Sequence, residues 1–222
     1  MIGSDPLTGA ATAALIRSKR LVFWDFDGVI KDSVDVKTRA FEALFLQFGT
    51  DLAVRARAHH EANGGLSRFQ KIPLYLDWAG LTPSPELIDE FCRRFSELAL
   101  QGVIDSPWVT GVPEYLKANC RGQRFVLVTA TPQNEIEHIV RMLGIDGYFG
   151  EIHGAPTSKS EAIAGVLRRH GGDRSETLMI GDSDLDLKAA QANAVPFLLR
   201  RTDLNRNLQD SYVGPMFEGL MP

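Results

Sequence analysis

The sequence predicts an α/β fold: a doubly wound parallel sheet carrying a small α-helical domain inserted after its first strand. Three observations predict it. Five short apolar runs have strand character: Leu21–Asp25, Phe125–Thr129, Tyr148–Ile152, Thr177–Gly181 and Val195–Arg200. Helical patterns separate the later runs, and strands alternating with helices imply a parallel sheet covered on both faces, with right-handed crossovers. From residue 33 to 107 the alternation stops and only helical periodicity remains. The length, 222 residues, suits one domain carrying such an insertion.

The elements follow in order. The opening "MIGSDPLTGAATAALIRSKR" makes a poor secretory signal, because its apolar part is short and alanine-rich and its positive charges come after it. Residues 1–8 read as a flexible lead-in. The run Leu21–Trp24 then ends in Asp25-Phe26-Asp27-Gly28, two carboxylates one residue apart at a point where glycine lets the chain turn. Within the inserted block, Val36, Ala40, Phe41, Leu44, Phe45 and Phe48 form one helical stripe. Leu87, Ile88, Phe91, Phe95 and Leu98 form another. The chain would cross between the two parts near Ile30–Ser33 and Pro107–Gly111. Residues 1–32 and 108–222 are thus assigned to the core and 33–107 to the insertion, which would sit above the first strand's carboxyl end. Open α/β sheets bind ligands there, so the block is placed to act as a lid. Ile136, Ile139, Val140 and Leu143, then Ala162, Ile163, Val166 and Leu167, give the helices between later strands. The tail from Asp203 has weak patterning and receives no assignment.

Bulk properties narrow the function. Hydrophobic residues make up 44%, charged residues 23%, and the formal charge is −4. That balance gives no broad basic footprint for nucleic acid, and no apolar run approaches the roughly 18 residues that span a bilayer. Of the two cysteines, Cys92 falls on an apolar helical stripe and reads as a buried free thiol. This agrees with a cytoplasmic protein. A monomer or homodimer is expected, without nucleic-acid or membrane partners.

Each later strand also ends in a polar group. "VLVTATPQN" closes on Thr129, a candidate phosphate contact beside a helix start whose amides favour anions; Thr131 reads as that helix's cap, with Pro132 in its first position. In "HGAPTSKSEAI", Ser158 and Glu161 have capping-box spacing. Lys159 then lies at a helix start, where a cation is disfavoured and an anionic partner is implied. "LMIGDSDLDLKAA" presents Asp182 at a strand end, with Asp186 four residues on, and either Ser183 or Asp184 to cap the helix. Adjacent strand ends would bring Asp25, Asp27 and Asp182 together, facing Thr129 and Lys159. Carboxylates so gathered need a cation, and a hard, oxygen-liganded site suits Mg²⁺.

At this point the sequence resembles the haloacid dehalogenase superfamily of aspartyl phosphotransferases. Four motifs carry the resemblance in order: "DFDGVIKDS", Thr129 in "VTATP", Lys159 in "APTSKSEA" and "GDSDLDLKAA". The place of the insertion is similar to the helical-cap branch, which includes phosphoglycolate-phosphatase-like and β-phosphoglucomutase-like enzymes. The resemblance implies a Rossmann-like core and a Mg²⁺-dependent phosphatase acting on a small phosphorylated metabolite, a sugar phosphate or phosphoglycolate. It makes Asp25 the nucleophile, forming an aspartyl-phosphate. Asp27 becomes the general acid and then base, which calls for a raised pKa. Asp25, Asp182 and the Asp27 main-chain carbonyl would hold Mg²⁺, supported by Asp186. Thr129, the Ala130 amide and Lys159 would hold the phosphoryl oxygens.

Other readings share these residues. A phosphomutase of the β-phosphoglucomutase type uses the same chemistry with longer exclusion of water. A non-catalytic binding protein should have lost one of Asp25, Asp27, Lys159 or Asp182, and all four are present. A phosphonate hydrolase would need a lid lysine, Lys37 or Lys71. In relatives with this lid, a loop such as "HHEANGGLSRFQKIP" closes over the leaving group, which makes Arg68 and Lys71 candidate substrate contacts. His59 and His60 read as surface residues, Lys31 as either a solvated side chain or a contact near the hinge, and Trp24, Trp78 and Trp108 as packing.

Overall fold

The computed structural model describes residues 6–171 and 173–221; of the expected lead-in, residues 1–5 lie outside that range. Leu7 and Thr8 are not a loose lead-in: the Leu7 amide donates to the Met216 carbonyl, and the Thr8 hydroxyl caps the first helix, α1 (Gly9–Arg17). The chain continues through β1 (Leu21–Trp24), then α2 (Val34–Phe45), α3 (Thr50–Ala62), α4 (Arg68–Trp78) and α5 (Pro85–Asp105). After α6 (Val112–Asn119) come β2 (Arg124–Pro132), α7 (Gln133–Met142), β3 (Glu151–Ala155), α8 (Lys159–His170) and β4 (Thr177–Gly181). The chain then runs through α9 (Asp184–Ala192), β5 (Phe197–Arg200), α10 (Arg206–Ser211) and β6 (Met216–Phe217).

The strands form one parallel sheet in the order β3-β2-β1-β4-β5-β6. β1 lies at the point where the chain reverses its direction of travel across the sheet, the place where such folds bind ligands. Its residues alternate between two cores. Val22 and Trp24 pack with Leu127, Ile136 and Ile180 on one face. Leu21 and Phe23 pack with Val128, Ile163 and Met179 on the other. Trp24 meets Phe125 edge-on at 5.7 Å, as packing rather than as a ligand platform.

Two strand expectations need correction. The third strand is Glu151–Ala155, not Tyr148–Ile152, because Tyr148 closes a short 3₁₀ turn and Phe149 turns into the core. This edge strand, Glu-Ile-His-Gly-Ala, has a single large apolar residue, so its own residues carry little apolar signal. β2 also runs on to Pro132, with an irregularity in its pairing after Val128. The unassigned tail folds as α10 and β6, which extends the sheet.

Helices α2 to α5 hold a third apolar cluster of their own, built on Phe41, Phe45, Tyr75, Leu76, Phe91 and Phe95. Leu98, expected in that stripe, is half exposed. Cys92 is buried within the cluster as expected. The two crossings lie side by side: the Asp32 amide donates to the Pro107 carbonyl at 2.8 Å and the Val109 amide to the Ile30 carbonyl at 3.0 Å. Lys31 is buried here, with its ammonium 4.3 Å from the centre of the Trp108 ring and donating to the Ile104 carbonyl, so it braces the crossing. Among the described residues, no helix is long and apolar enough to cross a membrane.

Candidate active site

The carboxyl ends of β1, β2 and β4 open onto a cavity of about 350 Å³, lined by Asp25, Asp27, Thr129, Ala130, Lys159 and Asp182 from below and by Lys37, Phe41, His60, Arg68 and Phe95 from the helical block. Local packing sets the first two residues. Phe26 is fully buried in the core, which leaves the flanking Asp25 and Asp27 to the cavity. Gly28 has φ +75° and lies so close to the Asp182 carboxylate that any side chain there would overlap it.

Asp25, Asp182 and Asp186 converge. One carboxylate oxygen from each lies within 4.8 Å of the others. Lys159 faces them, its Nζ 2.8 Å from Asp25 Oδ2 and 2.5 Å from Asp186 Oδ1. This answers the anionic partner inferred for a cation at a helix start. Asp186 is fully buried and accepts from the Ser183 hydroxyl at 2.5 Å, so it completes the capping box of α9 while it steers Lys159. Ser183 is therefore the cap, whereas Asp184 is exposed and pairs with Lys188.

The charges show the strain of this gathering. Burial, then the Asp186 carboxylate, pushes the Asp25 carboxyl up to about 7 against the pull of Lys159. Burial with Asp25 and Asp186 drives Asp182 well above the ordinary carboxylate range. Burial alone would lower Lys159, but Asp186 and Asp25 outweigh it and raise the ammonium. Three carboxylates against one ammonium leave net negative charge at an all-oxygen donor set. These residues fit a hard divalent cation such as Mg²⁺.

Asp27 departs from expectation. Its carboxylate is not part of the metal-type group, so only its main-chain carbonyl is left for an ion. Its Oδ1 accepts from the Ser33 hydroxyl at 2.6 Å, and its Oδ2 is paired with the Lys37 ammonium. Burial acts to raise its pKa, but Lys37 and Ser33 together prevail and hold it below the usual value. The expected rise is therefore reversed, because a lysine of the helical block supplies a counter-charge that the motif does not encode.

Thr129 is buried and its hydroxyl accepts from the Thr131 amide at 3.2 Å. Thr131 is not the helix cap. Pro132 takes that position, and Thr131 Oγ1 instead accepts from Lys37 at 2.7 Å and lies 3.3 Å from Asp27.

Of the lid residues, Arg68 lines the cavity but its guanidinium is engaged. It binds Glu135 of α7 in a fork, at 2.5 and 2.9 Å, and also meets Ser96. Lys71 is not on the cavity wall. It is buried behind the wall, 2.8 Å from His60 Nδ1. His60 is not a surface residue, since it is buried and lines the cavity. His59 packs against Tyr75 and Trp78. The loop between α3 and α4 rests on the core: a Cβ on Gly65 would stand 2.7 Å from both Ser183 Oγ and Leu185 Cβ.

Ser33, Glu135 and Asn205, whose amide donates to the Asp182 carbonyl at 2.7 Å, had gone unmarked. No local pattern marks them, because each acts on a residue remote in sequence or across a turn.

The chain is similar to known proteins. A sequence model of haloacid dehalogenase-like hydrolases matches residues 19–193. The chain is 27% identical over 190 residues to a 5'-nucleotidase of Pseudomonas aeruginosa, covering 82% of each. It is 29% identical over 187 residues to a phosphoglycolate phosphatase of Vibrio vulnificus, covering 78% of this chain and 79% of the relative. The solved structure of CbbY from Rhodobacter sphaeroides in complex with xylulose-1,5-bisphosphate has the same fold, with a TM-score of 0.73 at 16% identity over 91% of this chain and 95% of that one.

Proposed function

Because the chain belongs to the haloacid dehalogenase-like hydrolase family, we propose that it is a Mg²⁺-dependent phosphatase that hydrolyses a small phosphoric monoester through an aspartyl-phosphate on Asp25. The observation that carries the reading is the meeting of Asp25, Asp182 and Asp186 around Lys159 at the ends of β1 and β4, with the Thr129 hydroxyl near the end of β2, where its pairing becomes irregular.

In the first half-reaction an Asp25 oxygen forms a bond to phosphorus as the ester P–O bond breaks. Asp27 gives its proton to the departing oxygen. In the second half Asp27 takes a proton from water, which attacks phosphorus and frees Asp25. Thr129, the Ala130 amide and Lys159 hold the phosphoryl oxygens as charge shifts among them. Mg²⁺, held by Asp25, Asp182 and the Asp27 main-chain carbonyl, would neutralise carboxylate charge so that a phosphate dianion can approach. The grip of Lys37 on Asp27 suits the base role. The acid role requires that grip to relax, and an arriving dianion offers Lys37 another partner.

The block 33–107 serves in this reading as the lid, with residues 1–32 and 108–222 as the catalytic core. Its loop at Gly65 already touches the core beside Ser183. The test is phosphate release from a panel of phosphorylated metabolites, with and without Mg²⁺, using Asp25→Asn as the blank. Mg²⁺-dependent release that Asp25→Asn abolishes is the expected result. Full activity in Asp25→Asn would overturn the nucleophile assignment.

A further inference from the structure

The two loops that carry the carboxylates are both held by one later segment of the chain. The first loop lies between β1 and α2 and includes Asp25, Gly28 and Asp32; the second lies between β4 and α9 and begins at Asp182. Gly28 of the first lies directly against the Asp182 carboxylate of the second. Asp25, Asp182 and Asp186 gather three carboxylates, and Lys159 sets one ammonium against them. The repulsion among like charges acts to spread the loops. The end of β5 and the turn into α10 oppose it.

Arg200, the last residue of β5, grips the first loop. Its side chain is 11% exposed. Nη1 donates to the Gly28 carbonyl at 3.2 Å and to Asp32 Oδ1 at 2.9 Å, and Nη2 donates to Asp32 Oδ2 at 3.4 Å. Nε is buried and meets no partner among the described residues, so these contacts carry all the hydrogen bonds of the guanidinium. One planar cation therefore ties the loop to the sheet at two points.

Asn205 grips the second loop. Its amide nitrogen donates to the Asp182 carbonyl at 2.7 Å and to the Arg200 carbonyl at 2.8 Å. Its oxygen accepts from the Thr202 amide at 2.9 Å and from the Gln209 amide at 2.5 Å. Every donor and acceptor position of the side chain is thereby filled, which fixes its orientation. Because Asn205 holds the main chain of both Asp182 and Arg200, the two grips form one network, and a shift of either loop breaks bonds in it.

Rigidity at an oxygen-lined site selects between ions. Mg²⁺ demands near-octahedral donors at about 2.0–2.1 Å, whereas Ca²⁺ accepts more donors at about 2.3–2.6 Å in looser geometry. Donors free to move apart suit the larger ion, and donors held in place suit the smaller one.

We propose that Arg200 and Asn205 are positioning residues that hold the loops of Asp25 and Asp182 at a fixed separation, so that the site discriminates in favour of Mg²⁺ against Ca²⁺. The inference rests on the reading that a divalent ion binds these carboxylates, and on no step of turnover.

The test is calorimetric titration of the metal-free full chain with Mg²⁺ and, separately, with Ca²⁺, in the absence of substrate. The quantity read is the ratio of the two dissociation constants, Ca²⁺ over Mg²⁺. Asn205→Ala should lower that ratio at least about tenfold, mainly by weakening Mg²⁺, on the scale seen when residues supporting a metal ligand are altered. Arg200→Lys, which keeps the charge but loses the fork, should move it in the same direction. Tyr212→Phe is the control. The Tyr212 hydroxyl donates to the Phe197 carbonyl at 2.6 Å, in the same part of the chain but not to either loop. That variant should lower stability and leave the ratio unchanged. A ratio unmoved by Asn205→Ala, or moved as far by Tyr212→Phe, overturns the proposal. Should Asn205→Ala fail to fold, Arg200→Lys decides on the same terms. Wild-type protein that binds neither ion removes the metal from the phosphatase reading, and this proposal with it. Wild-type protein that binds Mg²⁺, with variants that leave the ratio unmoved, overturns this proposal alone.

Discussion

The Lys37 ammonium, on a helix of the lid, sits on the Asp27 carboxylate of the core and 2.7 Å from Thr131 Oγ1. The contact ties the position of the helical block to the charge of the proposed acid–base residue. Removing the cation removes the main influence that holds Asp27 below its usual pKa, and burial then acts unopposed except by Ser33 and the more distant Lys159. Lys37→Met is therefore expected to move the Asp27 limb of the pH–rate profile to higher pH. A pH series of kcat/KM on one phosphoric monoester, which reports the free enzyme, checks this, and an unmoved limb would show that Lys37 does not set the charge of Asp27.

The carboxylate cluster makes stability depend on pH in the absence of metal. The Asp25 carboxyl, about 7 in the folded protein against an ordinary value of 3.8, and Asp182, raised well above that value, hold protons more tightly folded than unfolded. The folded state is therefore favoured at low pH. The advantage fades as pH rises from the unfolded value through the folded one, that is, from about 4 upward through 7. Metal-free protein is expected to melt at a lower temperature at pH 8 than at pH 5.5. Mg²⁺ should restore the loss at pH 8, and Asp25→Asn should flatten the slope. Thermal melts in chelator and in Mg²⁺ measure all three.

Arg68 and Glu135 join the helical block to helix α7 through a fork whose Arg68 end is buried and whose Glu135 end is 12% exposed. Arg93 and Glu97, four apart on α5, form an exposed pair. Exposed helix pairs contribute about 0.3–0.5 kcal/mol, whereas removing one partner of a buried pair costs about 3–5 kcal/mol because the other is left uncompensated. Arg68→Met or Glu135→Ala alone should lower stability by about that larger amount. A double-mutant cycle by denaturant unfolding should give a coupling above ~1 kcal/mol for this pair and below ~0.5 kcal/mol for Arg93 with Glu97. Equal couplings would mean that the lid contact is solvated in solution.

These residues also mark what the sequence made legible. Asp25, Asp182 and Thr129 could be read because each follows an apolar run, so that strand periodicity and chain order place them at one edge of the sheet, and Lys159 because a capping box puts it at a helix start. The lid had only helical periodicity, which gives helices but not which face meets the core. Arg68 was therefore visible as a candidate, while its partner Glu135, 67 residues away, was not. Lys71 and His60 were misplaced for a related reason. Polarity suggests a surface, and their burial arises from helix packing around Phe41 and Tyr75 that no local pattern encodes. β3 was displaced by three residues because an edge strand with one large apolar residue lacks the alternation that fixes register.

Gly28 connects the backbone to the metal-type site. Its φ of +75° is one that residues with a Cβ adopt only at a cost, and a methyl there would collide with the Asp182 carboxylate. Two penalties thus fall on one substitution. The backbone term acts whether or not metal is present, whereas the displaced carboxylate matters most when Asp182 has an ion to hold. Gly28→Ala should cost about 1–2 kcal/mol of stability without metal. It should also weaken Mg²⁺ binding by at least about tenfold, on the scale seen when residues supporting a metal ligand are altered. Calorimetric titration with Mg²⁺ beside denaturant unfolding in chelator separates the two terms. If stability falls while Mg²⁺ affinity stays at the wild-type value, Asp182 does not contribute to holding the ion, and the donor set must be drawn without it.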